Sequence, residues 1–295
     1  MAKIALTNLN TVSEADFVAA MGDVYEQAPW VAQAVSKQRP FATLAAMHAA
    51  MMAAVRAASA DQQLALIKGH PDLAGKAARA GALTADSTAE QASAGLDRLS
   101  ETEFTQFQRL NSAYREKFGI PFIICARRHG KESIRQQFER RLQNGKAAET
   151  KAALSEIFHI AALRLDQRIE AADHLAVYGR LSTHVLDTHS GRPAAGVMIE
   201  LVELSADSEQ RVVVRATTNR DGRTDAPLIA GRPLPIGRYE LRFHIGDYFK
   251  QLEARLDDPP FLDLIPVRFA VAEPEGHYHV PLLVTPWSYS TYRGS

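Results

Sequence analysis

Alanine and proline are divided unequally along this chain. Residues 1–177 hold 39 of its 48 alanines, and residues 178–295 hold 10 of its 14 prolines. Alanine is the best helix former and proline the worst. The first part is therefore expected to be helical, and the second to be short strands joined by tight turns. A length of 295 residues accommodates two such domains. No repeat or low-complexity linker separates them. A direct helix-to-strand passage is expected around 173–180, giving domains 1–173 and 178–295. The fold class that follows is multi-domain, an all-α N-terminal domain followed by an all-β sandwich.

Bulk composition excludes more than it assigns. Hydrophobic residues at 46% and charged residues at 23% are ordinary for a globular protein with a sizeable core. The 34 Lys and Arg cancel the 34 Asp and Glu. The first part carries +2 and the second −2, so neither is a charged tail. Nucleic-acid binders and polybasic membrane binders need an excess of positive charge, so both partners are disfavoured. A small anion, which needs only one or two local arginines, is not. A single cysteine, Cys125, cannot build an internal disulfide framework or a cysteine-rich zinc module. The start MAKIALTNLN lacks a basic region followed by an apolar one, so no secretory signal is expected. The Ala/Met-rich run from Phe41 to Val55 is too short for a bilayer and contains His48; it reads as a buried helix.

Helix signals recur through the first part. Ser13-Glu14-Ala15-Asp16 and Ser100-Glu101-Thr102-Glu103 match the capping pattern. Phe104, Phe107, Leu110 and Tyr114 share one face, and Gly119 and Pro121 end that helix. Further helices are expected over Ser133–Leu142 and over about Ala147–Ala172, the latter with Leu154, Ile157, Phe158, Ala161 and Leu165 as its core stripe. In the second part the period changes to two. Val197, Ile199 and Leu201 alternate with Met198 and Glu200; Tyr239, Leu241, Phe243 and Ile245 alternate with polar residues. Asn219-Arg220-Asp221-Gly222 and Pro235-Ile236-Gly237 are turn signals. A sandwich of seven or eight strands fits about 115 residues.

Three stretches of the helical part could carry chemistry: Gly69-His70-Pro71-Asp72-Leu73, Ser87-Thr88-Ala89-Glu90-Gln91, and Phe122-Ile123-Ile124-Cys125-Ala126-Arg127. His70, next to a proline, is expected in extended geometry at a chain reversal. Each stretch also has an ordinary reading: a turn histidine, a helix cap at Ser87 and Glu90, and an apolar core segment. From residue chemistry alone, the proposal reaches only a His70–Glu90 acid–base pair in a pocket.

GHPDLA, then STAEQ, then FGIPFIICARR resembles the 2-oxo-4-hydroxy-4-carboxy-5-ureidoimidazoline (OHCU) decarboxylases, over nearly all of residues 8–172. The resemblance implies an all-helical domain that forms (S)-allantoin without metal or organic cofactor. It places the catalytic histidine at His70 and the catalytic glutamate at Glu90. Substrate-binding positions would be Pro71, Ser87, Thr88, Ala89, Gln91 and the backbone of Phe122, Ile123, Ile124, Cys125 and Ala126. Loss of CO2 beside a ring C=N needs no added electron sink, because the ring can delocalise the electron pair.

The strand part opens with Tyr178-Gly179-Arg180-Leu181-Ser182-Thr183-His184 and closes with His277-Tyr278-His279 and Tyr292-Arg293-Gly294-Ser295. His277 and His279 share one strand face and could meet His184. Three histidines can bind zinc, but no Cys or Asp spacing completes a recognisable site. These segments resemble the transthyretin-related 5-hydroxyisourate hydrolases over essentially all of 178–295, with the ending YRGS the most specific mark. The resemblance implies a transthyretin-like sandwich, tetrameric through this C-terminal domain. It assigns active-site roles to His184, Arg223, His279 and Ser295, with Tyr292, Arg293 and Gly294 binding substrate; which histidine is the base stays open.

Together the two resemblances imply a bifunctional enzyme of urate degradation, with 5-hydroxyisourate and OHCU as small-molecule substrates. The alternatives are that only one domain is active, or that the chain is a non-catalytic transthyretin-like binding protein. A cytoplasmic location is expected. Arg168 to Leu175 is one residue short of a peroxisomal spacing found between the domains of plant relatives, and reads as a helix end.

Overall fold

In a computed structural model the chain is described over residues 3–75, 83–204, 210–252 and 256–294. It divides into two compact units. One comprises Met1–Arg127 and Ser133–Val177; the other comprises Arg128–Glu132 and Tyr178–Ser295. The five residues 128–132 thus group with the strands, where His129 bridges Ile236. Nothing in the sequence hinted at that.

Among its described residues the first unit contains α1 (Leu6–Leu9), α2 (Glu14–Met21), α3 (Trp30–Ser36), α4 (Leu44–Ala57), α5 (Ala60–Lys68), α6 (Ala85–Ser93), α7 (Glu101–Phe118), α8 (Lys131–Arg141, whose first two residues fall in the other unit) and α9 (Lys146–Arg168). Capping sets the starts. Ser13 accepts the Asp16 amide, and Ser59 and Ser100 form reciprocal capping boxes with Gln62 and Glu103. Gly119 ends α7 at a φ of 73°, a left-handed conformation that glycine adopts without steric cost. The stripe Leu154, Ile157, Phe158, Ala161 and Leu165 is buried along α9, and Met47, Met51 and Val55 are buried along α4. Of the Phe41–Val55 run, Leu44 to Val55 is helix with one face buried, and residues 41–43 precede it. No helix among the described residues is long and apolar enough to cross a membrane.

The unit is not wholly helical. β1 (Ile4–Ala5) and β2 (Ile169–Glu170) pair in parallel, so α9 stops at Arg168, short of the expected Ala172. The stretch from Arg168 to Leu175 is thus helix end and strand.

The second unit holds β3 (Gly179–Ser182), β4 (Val185–Asp187), β5 (Arg192–Pro193), β6 (Met198–Leu204), β7 (Gln210–Thr217), β8 (Ile229–Arg232), β9 (Gly237–His244), β10 (Leu264–Val271), β11 (His277–His279), β12 (Leu282–Val284) and β13 (Tyr289–Thr291). One antiparallel sheet runs β10-β9-β6-β7; the others run β11-β3-β8 and β13-β12-β4-β5. The two short sheets are linked where Val280 donates to the Ser182 carbonyl and Leu282 to the His184 carbonyl. Ile199, Leu201, Leu241, Phe243, Ile265 and Leu282 share the core. Two details depart from the alternation. Ile245 opens a helix, α10 (Ile245–Gln251), rather than continuing β9. Glu240, on the polar face, is buried because Arg242 and Arg268 each donate to its carboxylate at 2.7 Å and cover it.

Candidate active sites

In the helical unit, His70 lies just beyond the end of α5. Its amide bonds to the Ile67 carbonyl at 3.2 Å and its Nδ1–H donates to the Leu66 carbonyl at 3.0 Å. Those carbonyls lack helical partners at a C-terminus, so the bonds come at no cost to the helix. With Nδ1 holding the proton, Nε2 keeps its lone pair. His70 is only 7% exposed, and burial depresses it to about 4, against the opposing pulls of the Leu66 carbonyl and Glu26.

Glu90 is on α6. The helix is capped by Thr84, whose hydroxyl accepts the Ser87 amide. Ser87 and Glu90 are thus both inside the helix, and the capping-box reading of that pair is overturned. Their spacing of three puts both on one face. Arg164 of α9 donates through Nε and Nη2 to the two Glu90 oxygens at 2.8 and 3.0 Å. Burial nonetheless pushes the Glu90 carboxyl up, Arg164 pulling the other way.

His70, Pro71, Ser87, Glu90, Gln91, Phe122, Ile123, Ile124 and Ala126 line one cleft with Leu73 and Ile160, about 360 Å³ counted with its open mouth. Three expected positions stand apart. Thr88 and Ala89 are exposed, and Thr88 borders a neighbouring recess with Ala92 and Phe104. Cys125 is buried outside the cleft lining, and its amide donates to Glu156 at 2.9 Å rather than facing a ligand. Gln91 is engaged with the chain itself: it accepts the Ala74 amide at 2.8 Å and donates to the Asp72 carbonyl at 3.4 Å, tying α6 to the loop after His70.

Two charged residues of this site escape the sequence reading. Arg164 interrupts the buried run Ala161-Ala162-Leu163-Arg164-Leu165, and a charge within a core stripe was a usable signal. Glu26, between α2 and α3, carried none. It is 5% exposed and takes Arg164 Nη1 at 3.0 Å on one oxygen.

In the strand unit, His184 sits between β3 and β4 and bridges Arg223, which follows the turn Asn219–Gly222. Asn219 holds that turn by accepting the Asp221 and Arg223 amides through its side chain. Gly222 is at a φ of 71°, and a Cβ there would lie 2.3 Å from the Val185 carbonyl, so glycine is required. The His184 Nε2 atom is buried without a hydrogen-bond partner. Burial first, then the Arg223 charge, lower the pKa of His184.

His279 of β11 faces the same region. Burial, Arg223, His184 and His277 all lower it, in that order. Ser182 Oγ lies 2.9 Å from His279 Nδ1 and 3.3 Å from His277 Nε2, a bridge between two imidazoles that the spacing did not disclose. Gly294 backs onto His279, its amide donating to the His279 carbonyl at 2.9 Å. Arg293 stacks over the Tyr278 ring at 5.0 Å. Tyr292 is exposed. Ser295 lies outside the described residues. Among the described residues no three His, Cys, Asp or Glu side chains converge as a metal-ligand set.

One unit thus holds a buried imidazole and an arginine-held carboxyl in one cleft, a set suited to proton transfer. The other holds two imidazoles whose pKa values are lowered by burial and a nearby arginine, a set suited to activating water. The family model described as OHCU decarboxylase matches residues 10–166, and that described as HIUase/transthyretin matches 181–294. The chain is 39% identical over 171 residues to the OHCU decarboxylase of Haloferax volcanii, covering 58% of this chain and 99% of that protein. It is 58% identical over 115 residues to the 5-hydroxyisourate hydrolase of Deinococcus radiodurans, covering 39% of this chain and 95% of that one. A crystal structure of (S)-allantoin synthase aligns with 99% of this chain and all of its own at 35% identity and a TM-score of 0.53. The chain belongs to the OHCU decarboxylase family and, in its strand unit, to the HIUase/transthyretin family.

Proposed function

We propose that the strand unit acts first and the helical unit second. The chain is a bifunctional enzyme of urate degradation, a 5-hydroxyisourate hydrolase and an OHCU decarboxylase. The observation that carries the decarboxylase assignment to particular residues is the shared cleft of His70 and Glu90.

In that cleft neutral His70 takes the substrate's hydroxyl proton at Nε2 as the carboxylate leaves as CO2, and the nitrogen of the ring C=N receives the electron pair and a proton from solvent. The imidazolium returns its proton to carbon from one face, and Glu90, held by Arg164, orients and stabilises it. One-sided delivery yields (S)-allantoin. Phe122, Ile123 and Ile124 wall the cleft, and Ser87 binds the ureido group.

In the strand unit His184 or His279 deprotonates water for attack on a ring amide carbonyl, and Arg223 stabilises the developing oxyanion. The His184 Nε2, which has no hydrogen-bond partner within the chain, supports that role. The closing segment Tyr292-Arg293-Gly294 borders the site, supported by the Gly294–His279 contact, and Ser295 completes the tetrapeptide that the family resemblance assigns to it. Self-association as a tetramer through this unit is supported by the exposed Trp287, Tyr289 and Tyr292 in the closing segment. A cytoplasmic location fits a chain whose single cysteine, Cys125, can form no internal disulfide.

Absorbance and circular dichroism, followed while urate oxidase generates 5-hydroxyisourate, test both sites. His70→Asn should accumulate OHCU and lose enantiomeric excess. Deleting Tyr292–Ser295 should abolish hydrolysis with little loss of stability. Wild-type rates and stereochemistry in the first, or unchanged hydrolysis in the second, refute the corresponding assignment.

A further inference from the structure

The carboxylate of Glu26 has no place in the chemistry above, yet it is among the most heavily bonded groups of the helical unit. Thr84 Oγ donates to its Oε1 at 3.0 Å, Ser87 Oγ to its Oε2 at 3.2 Å, and Arg164 Nη1 to the same Oε2 at 3.0 Å. A carboxylate with this many donors accepts only. The direction of each bond is therefore settled: the single hydroxyl proton of Ser87 points at Glu26. Glu26 does not line the cleft, whereas Ser87 does.

The consequence concerns what Ser87 can offer a ligand. A serine hydroxyl ordinarily donates or accepts as needed. Here its proton is committed away from the cleft, and only oxygen lone pairs remain for the substrate. We propose that Glu26 is a positioning residue that makes Ser87 an acceptor, so that this wall of the cleft reads an N–H of the substrate and rejects a carbonyl or carboxylate oxygen. A ureido group carries both N–H donors and a carbonyl, so an acceptor-only Ser87 sets which edge of it turns toward α6. The same carboxylate holds Arg164 by Nη1, which leaves the Nε and Nη2 fork for Glu90. Glu26 thereby orients one substrate contact and one catalytic carboxyl together. The inference rests on the decarboxylase reading of the cleft.

The test is steady-state decarboxylation by the full-length protein carrying Ser87→Ala, Glu26→Ala, both, or Glu26→Gln. Wild type is assayed first; failure of wild type to decarboxylate OHCU would overturn the reading of the cleft and not the role of Glu26. Ser87→Ala removes the acceptor and should raise KM about tenfold with a smaller change in kcat. Glu26→Ala frees the Ser87 proton but leaves its lone pairs, so KM should rise by less than in Ser87→Ala and by more than in Glu26→Gln, with a lower kcat as Arg164 loosens. In the double variant the KM effects should not multiply: Glu26→Ala should add no more than about twofold to Ser87→Ala. Glu26→Gln supplies an amide oxygen to Ser87 and Arg164 while its NH2 turns to Thr84, so KM should return to within about threefold of wild type. That variant also decides the matter if Glu26→Ala does not fold. KM effects that multiply, or a Glu26→Gln KM as high as that of Ser87→Ala, would overturn the proposal.

Discussion

Removing the Arg141 side chain while keeping Glu149 tests how the decarboxylase cleft is supported. Glu149 is fully buried and Arg141 is 4% exposed. Arg141 Nε and Nη2 contact the Glu149 carboxylate at 3.0–3.2 Å, and Asn144 donates to it at 2.7 Å, with the Tyr114 hydroxyl as a further donor. Arg141 Nη1 also donates to the Ile123 carbonyl at 2.7 Å, within the segment that walls the cleft. Arg141→Met keeps most of the volume but leaves a buried carboxylate with two neutral donors. Breaking one side of such a pair costs about 3–5 kcal/mol. Against a typical total stability of roughly 5–15 kcal/mol, that is a large share. It should lower the melting temperature of the helical signal on the order of 10 °C, at 2–4 °C per kcal/mol for a unit of this size. Adding Glu149→Gln removes the stranded charge but keeps the Tyr114 and Asn144 contacts, and should recover at least half the loss. The assay is thermal and urea unfolding of the full chain followed at 222 nm, with 5-hydroxyisourate hydrolysis as an internal control. A single variant within about 1 kcal/mol of wild type, or a double variant no better than the single, would refute the reasoning.

Three further outcomes follow from distances and charges. His70 titrates near 4 when folded and at its ordinary 6.5 when unfolded, so between those values the unfolded chain binds the extra proton. Its contribution is complete above about pH 6.5 and is lost as pH falls toward 4, by about 3 kcal/mol; His70→Asn should flatten that part of the stability curve. Gly294→Ala places a Cβ 2.6 Å from His279 Cδ2, so the tail or the ring must move; hydrolysis should fall about a hundredfold while stability changes by no more than the one hydrogen bond lost, about 1 kcal/mol. Ser182→Ala should alter the pH profile of hydrolysis, through the loss of the His279 contact, and leave decarboxylation unchanged.

Local chemistry makes much of this architecture legible in the sequence. The capping box at Ser100, the buried stripe of α9 and the alternation through Ile199 and Leu201 are all set by residues a few positions apart, and local preference suffices for them. The two chemical stretches around His70 and Glu90 are also visible, because a histidine before proline and a run of polar residues at a helix entrance are local features. Where the reading misplaced residues, a distant neighbour decided. Ser87 and Glu90 have the spacing of a cap, but Thr84 occupies that position. Ile245 fits the strand period, yet its amide and that of Gly246 bond to the Asp263 carbonyl and α10 begins there. The Cys125 amide looked available until Glu156, 31 residues on, claimed it.

The order of elements and the candidate histidines are thus written in short stretches of the chain, and the two chemistries in the likeness of those stretches to known families. The protonation and polarity of those groups are not. His70 is neutral because packing excludes water from it, Glu90 is raised by burial and anchored by a residue 74 positions away, and the Ser87 proton is directed by one 61 positions away. Desolvation and hydrogen-bond direction depend on what surrounds a group in space, and only the folded chain brings those neighbours together.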